Sequence, residues 1–219
     1  MSQINVDKIA EYNSGQKVTF NNDIKLAQNK NITDFENNPI GALVKLKSAT
    51  ASDSSEITFD NFVDQNAYSY YQIVFQHIKA ANDSNNFRVK YRTGGASGSD
   101  ITGTYRQAGA YYYGDEATSS FFTNNSSTDY QTLENNVGNS NAEGLTGKAD
   151  LFPATGTDST SAITAMHSLM SNQDNADRLR SIHRSTYYED GATEVTGIKF
   201  YMSSGNISSG TIVVYGVKK

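Results

Sequence analysis

His77, His167 and His183 are the side chains of this chain best suited to proton transfer or metal ligation near neutral pH. They lie far apart in sequence, each in a segment of strand-like character. None forms an HExxH or HxH pair or stands beside a carboxylate, so the spacing supplies no metal-ligand set. With zero Cys, thiolate catalysis, Cys-ligated zinc, iron–sulfur clusters and disulfides are excluded. No GxSxG elbow marks a nucleophilic serine. The expectation is no catalytic residue, no cofactor and no metal. Two loops, NDSNN at 82–86 and NQDNAD at 172–177, carry oxygen ligands that would suit Ca²⁺, but neither has EF-hand spacing, and turn formation accounts for the same residues.

Binding chemistry is better represented. Tyr111, Tyr112 and Tyr113 are consecutive, and in a strand consecutive side chains point to opposite faces, so at least one ring is expected on an outer face or edge. Such a ring could stack on a sugar or fill a protein contact; two core rings and one edge-covering ring is the plainer alternative. The densest basic group, Arg178, Arg180 and Arg184, reads as a solvated face and not as a phosphate site.

These residues must be held by a mostly β framework. Of 219 residues, 22 are Asn, 25 Ser and 20 Thr, while 2 are Pro and none Trp. Asn, Ser and Thr hydrogen-bond the local backbone and so disfavour helix interiors, whereas Thr, Tyr and Phe suit a pleated surface. From about residue 55 strand signals recur: EITFDNF, YSYYQIVFQHI, NFRVKYR, GTYRQAGAYYY, SAITAMHSLM, TGIKFYM and GTIVVYGV, separated by polar turns that include TNNSSTD and MSSGNISSG. In NFRVKYR, Phe87, Val89 and Tyr91 alternate with Arg88, Lys90 and Arg92, which places an apolar face opposite a charged one. Helix is expected in at most two short places: TDYQTLENNV, where Tyr130, Leu133 and Val137 have helical spacing, and NADRLRSI, with Leu179 and Ile182; the second equally suits a strand running on to Tyr188, and strand is preferred there. The fold class is all-β: a jelly-roll-type antiparallel β-sandwich at 49–219, preceded by a segment at 1–48. That segment has short apolar alternations at Ile4, Val6 and Ile9, at Val18 and Phe20, and at Ile24 and Leu26. They are too short to enclose a core, so docking or self-association is expected of them. A connector, NNPIGALVKLKSATASDSS, follows.

The net charge of −5 and the scattered basic residues argue against nucleic acid. The opening residues lack the pattern of a secretory signal, and no apolar run is long enough for a membrane helix, so a soluble, cytoplasmically made protein without membrane insertion is expected.

Two terminal segments carry a resemblance. INVDKIAEYNSGQKVTFNNDIKLA resembles an N-terminal motif of tailed-bacteriophage virion proteins, and TGIKFYMSSGNISSGTIVVYGVKK resembles the C-terminal strand pair of phage appendage proteins, those of marine and cyanobacterial phages especially. The resemblance implies a non-enzymatic virion structural protein, a capsid decoration, spike or tail-fibre component. It further implies a homotrimer, with capsid or tail proteins and a host surface glycan as partners. A free carbohydrate-binding sandwich module is the alternative. A glycan depolymerase would need paired carboxylates at a fixed separation, which sequence does not display.

Overall fold

The computed structural model describes residues 43–113, 119–153, 162–172, 178–189 and 193–219. The chain divides into two units, Met1–Ile40 and Gly41–Lys219, and the described residues all belong to the second. Among the described residues thirteen strands follow one another: β1 (Leu43–Ser54), β2 (Glu56–Phe59), β3 (Tyr68–Ala80), β4 (Asn85–Thr93), β5 (Ser99–Asp100), β6 (Thr104–Tyr113), β7 (Ser119–Thr128), β8 (Gln131–Val137), β9 (Leu145–Phe152), β10 (Ala162–Asn172), β11 (Arg178–Tyr188), β12 (Gly197–Met202) and β13 (Ile207–Lys218). A 3-10 turn at Gly95–Ser97 is the one helical piece among the described residues.

The strands form an antiparallel sandwich. One sheet has eight strands in the order β1-β13-β3-β9-β10-β11-β6-β7; the other runs β2-β12-β4-β5, with β8 also paired to β4. Period-two alternation builds the interior from both layers. Tyr71, Ile73 and Phe75 face inward from β3, and Phe87, Val89 and Tyr91 from β4. Ile198, Phe200 and Met202 do so from β12, and Ile212 and Val214 from β13; all of these are buried. Phe75 of the larger sheet meets Phe87 and Phe200 of the smaller one edge-on, at 5.6 and 5.4 Å between ring centroids. Such edge-to-face pairs add roughly 0.5–1.5 kcal/mol each beyond the area they bury. A second aromatic chain, Tyr91–Tyr105–Tyr188, continues the core with centroid distances of 5.4 and 5.2 Å. The Tyr105 hydroxyl accepts the Tyr91 N–H at 3.2 Å and donates to the Ile101 carbonyl at 3.0 Å, which satisfies a buried polar group.

The charged face of β4 is outward, as its alternation predicts. Arg92 binds the Asp60 carboxylate at 2.7 Å through Nε and also pairs with Asp100, which Lys199 of the neighbouring strand β12 bonds as well. Burial alone would raise the Asp100 pKa. The hydrogen bond and charge of Lys199, with Arg92 and Lys90, outweigh it and hold the carboxyl below its ordinary range.

Three expectations are corrected. TDYQTLENNV is not helix: Gln131–Val137 is strand, paired with β4 through two register shifts. Those irregularities, with Asn136 at φ 54°, turn the two-residue period into the three- and four-residue spacing that mimicked a helix. The stretch read as a connector contains β1, which pairs with β13 over most of its length. TNNSSTD, read as a turn, lies largely in β7, paired with β6. Both strands are rich in small polar residues, which pair through the backbone without displaying an apolar alternation. NADRLRSI does lie in strand, from Arg178 onward.

Candidate functional site

On β11 the inward face comprises Arg180, Ile182, Arg184, Thr186 and Tyr188, each at most 4% exposed. This overturns the reading of the arginines as a solvated face for Arg180 and Arg184, whose guanidiniums lie inside the sandwich. Arg180 donates to the Glu134 carboxylate at 2.5 Å and to the Asn135 carbonyl; Arg184 donates to the Thr132 carbonyl and, at 2.5 Å, to the Tyr111 hydroxyl. Two cations of the large sheet are thereby fastened to the irregular strand β8 of the small one. Their heads also lie 5.0 and 5.7 Å from the Tyr111 ring centroid, within cation–π range. Burial draws the Arg184 pKa down from its ordinary value, opposed by Tyr111 and Glu134. Burial likewise pushes the Tyr111 hydroxyl up, opposed by the Arg184 charge. The cluster is sealed from solvent, and its chemistry is that of a tie between layers.

The three candidate tyrosines separate accordingly. Tyr111 is a core residue, 8% exposed, because it pairs in register with the inward Ile182. Tyr113 lies opposite Arg180 at the end of β6 and is half-buried. Tyr112 alone points outward, 47% exposed, and its ring meets His183 edge-on at 5.8 Å. The expectation of at least one outer ring therefore holds, whereas a surface role for Tyr111 does not fit its burial. His77 and His183 are exposed on their strands; His167 lies in β10. In the loop at 82–86, Asn85 donates to the Asn82 carbonyl at 2.9 Å and its oxygen bonds the Ser203 hydroxyl at 3.0 Å, so it serves the turn. Most of the loop at 172–177, and all of Ile4, Val6, Ile9, Val18, Phe20, Ile24 and Leu26, lie outside the described residues. Among the described residues no group of three or more His, Asp or Glu side chains is placed to hold a metal.

The outer face of the eight-stranded sheet carries a feature that the sequence did not single out. Register aligns Leu43 with Val217, Val217 with Tyr70, Phe152 with Ala162 and Ala162 with Tyr187. The Tyr71–Leu151 pair brings Tyr70 beside Phe152, and their rings stack at 5.3 Å with 22° between planes. Leu43, Phe152 and Tyr187 are 48%, 46% and 37% exposed. One row thus crosses six strands, roughly 24 Å at ~4.8 Å per strand. A cleft of about 450 Å³ adjoins it, lined by residues that include Asn66, Tyr68, Ser69, Phe152 and Pro153. No sequence signal could have found this row, since its members are spread from Leu43 to Val217 and only the strand order unites them.

No known family model matches the chain, and no curated protein or solved structure compared with it does.

Proposed function

We propose that this chain is a non-enzymatic structural protein of a tailed-phage virion, an outward-facing trimeric appendage that contributes to attachment. The observation that carries this reading is the outer face of the eight-stranded sheet, which presents Phe152, Tyr187 and Tyr112 to solvent while the interior is filled by packed rings. Exposed aromatic residues grouped on one face are a feature of contact surfaces. The C-terminal segment on which the resemblance rests is central to the fold: β12 lies between β2 and β4, and β13 between β1 and β3. The finer jelly-roll description of the sandwich belongs to the same proposal.

Light scattering on the full chain is expected to give three times the 23.9 kDa subunit mass. Antibody raised against it is expected to label phage particles from the lysate in which it is produced. A monomer that also leaves particles unlabelled would overturn the proposal.

A further inference from the structure

We infer that the cleft beside Phe152 is a binding site for a neutral oligosaccharide, with the Tyr70–Phe152 pair as its stacking platform. This rests on the attachment reading above and gives that reading a ligand class and a place. Phe152 lines the cleft and remains 46% exposed even though Tyr70 stacks on it, so a large part of a fixed aromatic surface stays open to a ligand. The platform is preorganised: both residues sit in paired strands at the middle of the sheet, on β3 and β9, and not on a free loop. Across the cleft the groups change character. Asn66 and Ser69 present an amide and a hydroxyl, both exposed, and no Asp or Glu side chain is among the residues that line the cleft.

An apolar ring surface opposed by uncharged donors and acceptors matches a pyranose, whose faces are C–H and whose rim is hydroxyl. A lipid or an apolar helix would leave the amide and hydroxyl desolvated without partners. An anionic polymer would find one cation in the cleft, Lys219, and no paired arginine fork. The row continuing through Tyr187 gives a chain of sugars further apolar contacts along the same line.

The test is an array of neutral and acidic oligosaccharides probed with the full-length protein, followed by calorimetric titration of any neutral tetrasaccharide that binds. Phe152→Ala is expected to weaken binding by about tenfold or more, as loss of a central aromatic anchor does. Phe152→Tyr, which keeps the ring, is expected to bind within about threefold of the parent, and Ser52→Ala, at an exposed position of β1 outside the cleft, is expected to leave binding unchanged. Equal melting curves of the variants separate loss of the site from loss of the fold. A silent array, binding confined to acidic glycans and removed by salt, or neutral binding indifferent to Phe152→Ala overturns the inference. Particle labelling is scored separately: a labelled particle with a silent array refutes the site alone, and binding of a neutral glycan by a chain absent from particles refutes the virion reading alone.

Discussion

Glu134→Gln isolates the tie between the two layers. Glu134 is fully buried, and its Oε1 lies 2.5 Å from Arg180 Nη2, with the Arg184 guanidinium in the same enclosure. The substitution keeps the shape and one acceptor oxygen but leaves two buried guanidiniums without the charge that faces them. Breaking a buried pair from one side costs roughly 3–5 kcal/mol, and the retained acceptor places this variant near ~3 kcal/mol. For a domain of this size each kcal/mol moves Tm by about 2–4 °C, so a fall of roughly 6–12 °C is expected by circular dichroism. Because the pair is shielded from solvent, the fall should persist in about 1 M salt. Replacing both partners, Glu134→Leu with Arg180→Met, removes the burden of desolvation together with the attraction and should recover most of the loss. A fall of less than about 2 °C for Glu134→Gln, or a double variant no better than the single one, would refute the reasoning.

Further expectations concern pH and backbone. Asp100 has a folded pKa below its unfolded value of about 3.9, so the stability it contributes is present above that value and is lost as pH falls through the folded one. Asp100→Asn should therefore flatten the decline of the urea midpoint below about pH 4, and an unchanged acid limb would refute the network. Burial pushes Tyr71 and Tyr201 up to about 12, so between about pH 10 and 12 the unfolded chain releases protons that the folded one retains. Stability should fall across that window, and Tyr71→Phe should lessen the slope of midpoint against pH. Gly210 has φ 116°, and a Cβ there would lie 2.6 Å from the His77 carbonyl oxygen and 2.7 Å from Ile78 Cα, so Gly210→Ala should lower Tm by several degrees through strain where β13 bulges against β3. An unshifted melting curve for Gly210→Ala would show that the bulge relaxes freely.

The sequence made the strands legible where apolar and polar residues alternate over several positions. Phe87, Val89 and Tyr91 on β4 and Ile198, Phe200 and Met202 on β12 show this alternation, and all six are core residues. It failed where a strand is irregular or has polar residues inside. In β8 the run Gln131, Thr132, Leu133 and Glu134 is buried throughout although three of the four are polar, so no apolar face betrays the strand. Arg180 and Arg184 misled for a related reason. Their positions in the alternation of β11 are inward, but an inward arginine is credible only beside its partner, and Glu134 lies 46 residues away on another sheet. That at least one of Tyr111, Tyr112 and Tyr113 points outward was readable from alternation; that it is Tyr112 came from the register with β11. The row from Leu43 to Tyr187 was not readable, because it exists only in the strand order, which pairs the beginning of the sandwich with its end.

The central claim, a virion appendage with its sandwich turned outward, is tested most directly by cryo-electron microscopy of intact particles from a lysate in which the chain is produced. The account predicts three-fold clusters of the chain on the shell or tail, with residues 43–219 pointing away from the particle and the Phe152 row accessible. Particles of full mass and protein content that contain no copy of the chain would contradict it.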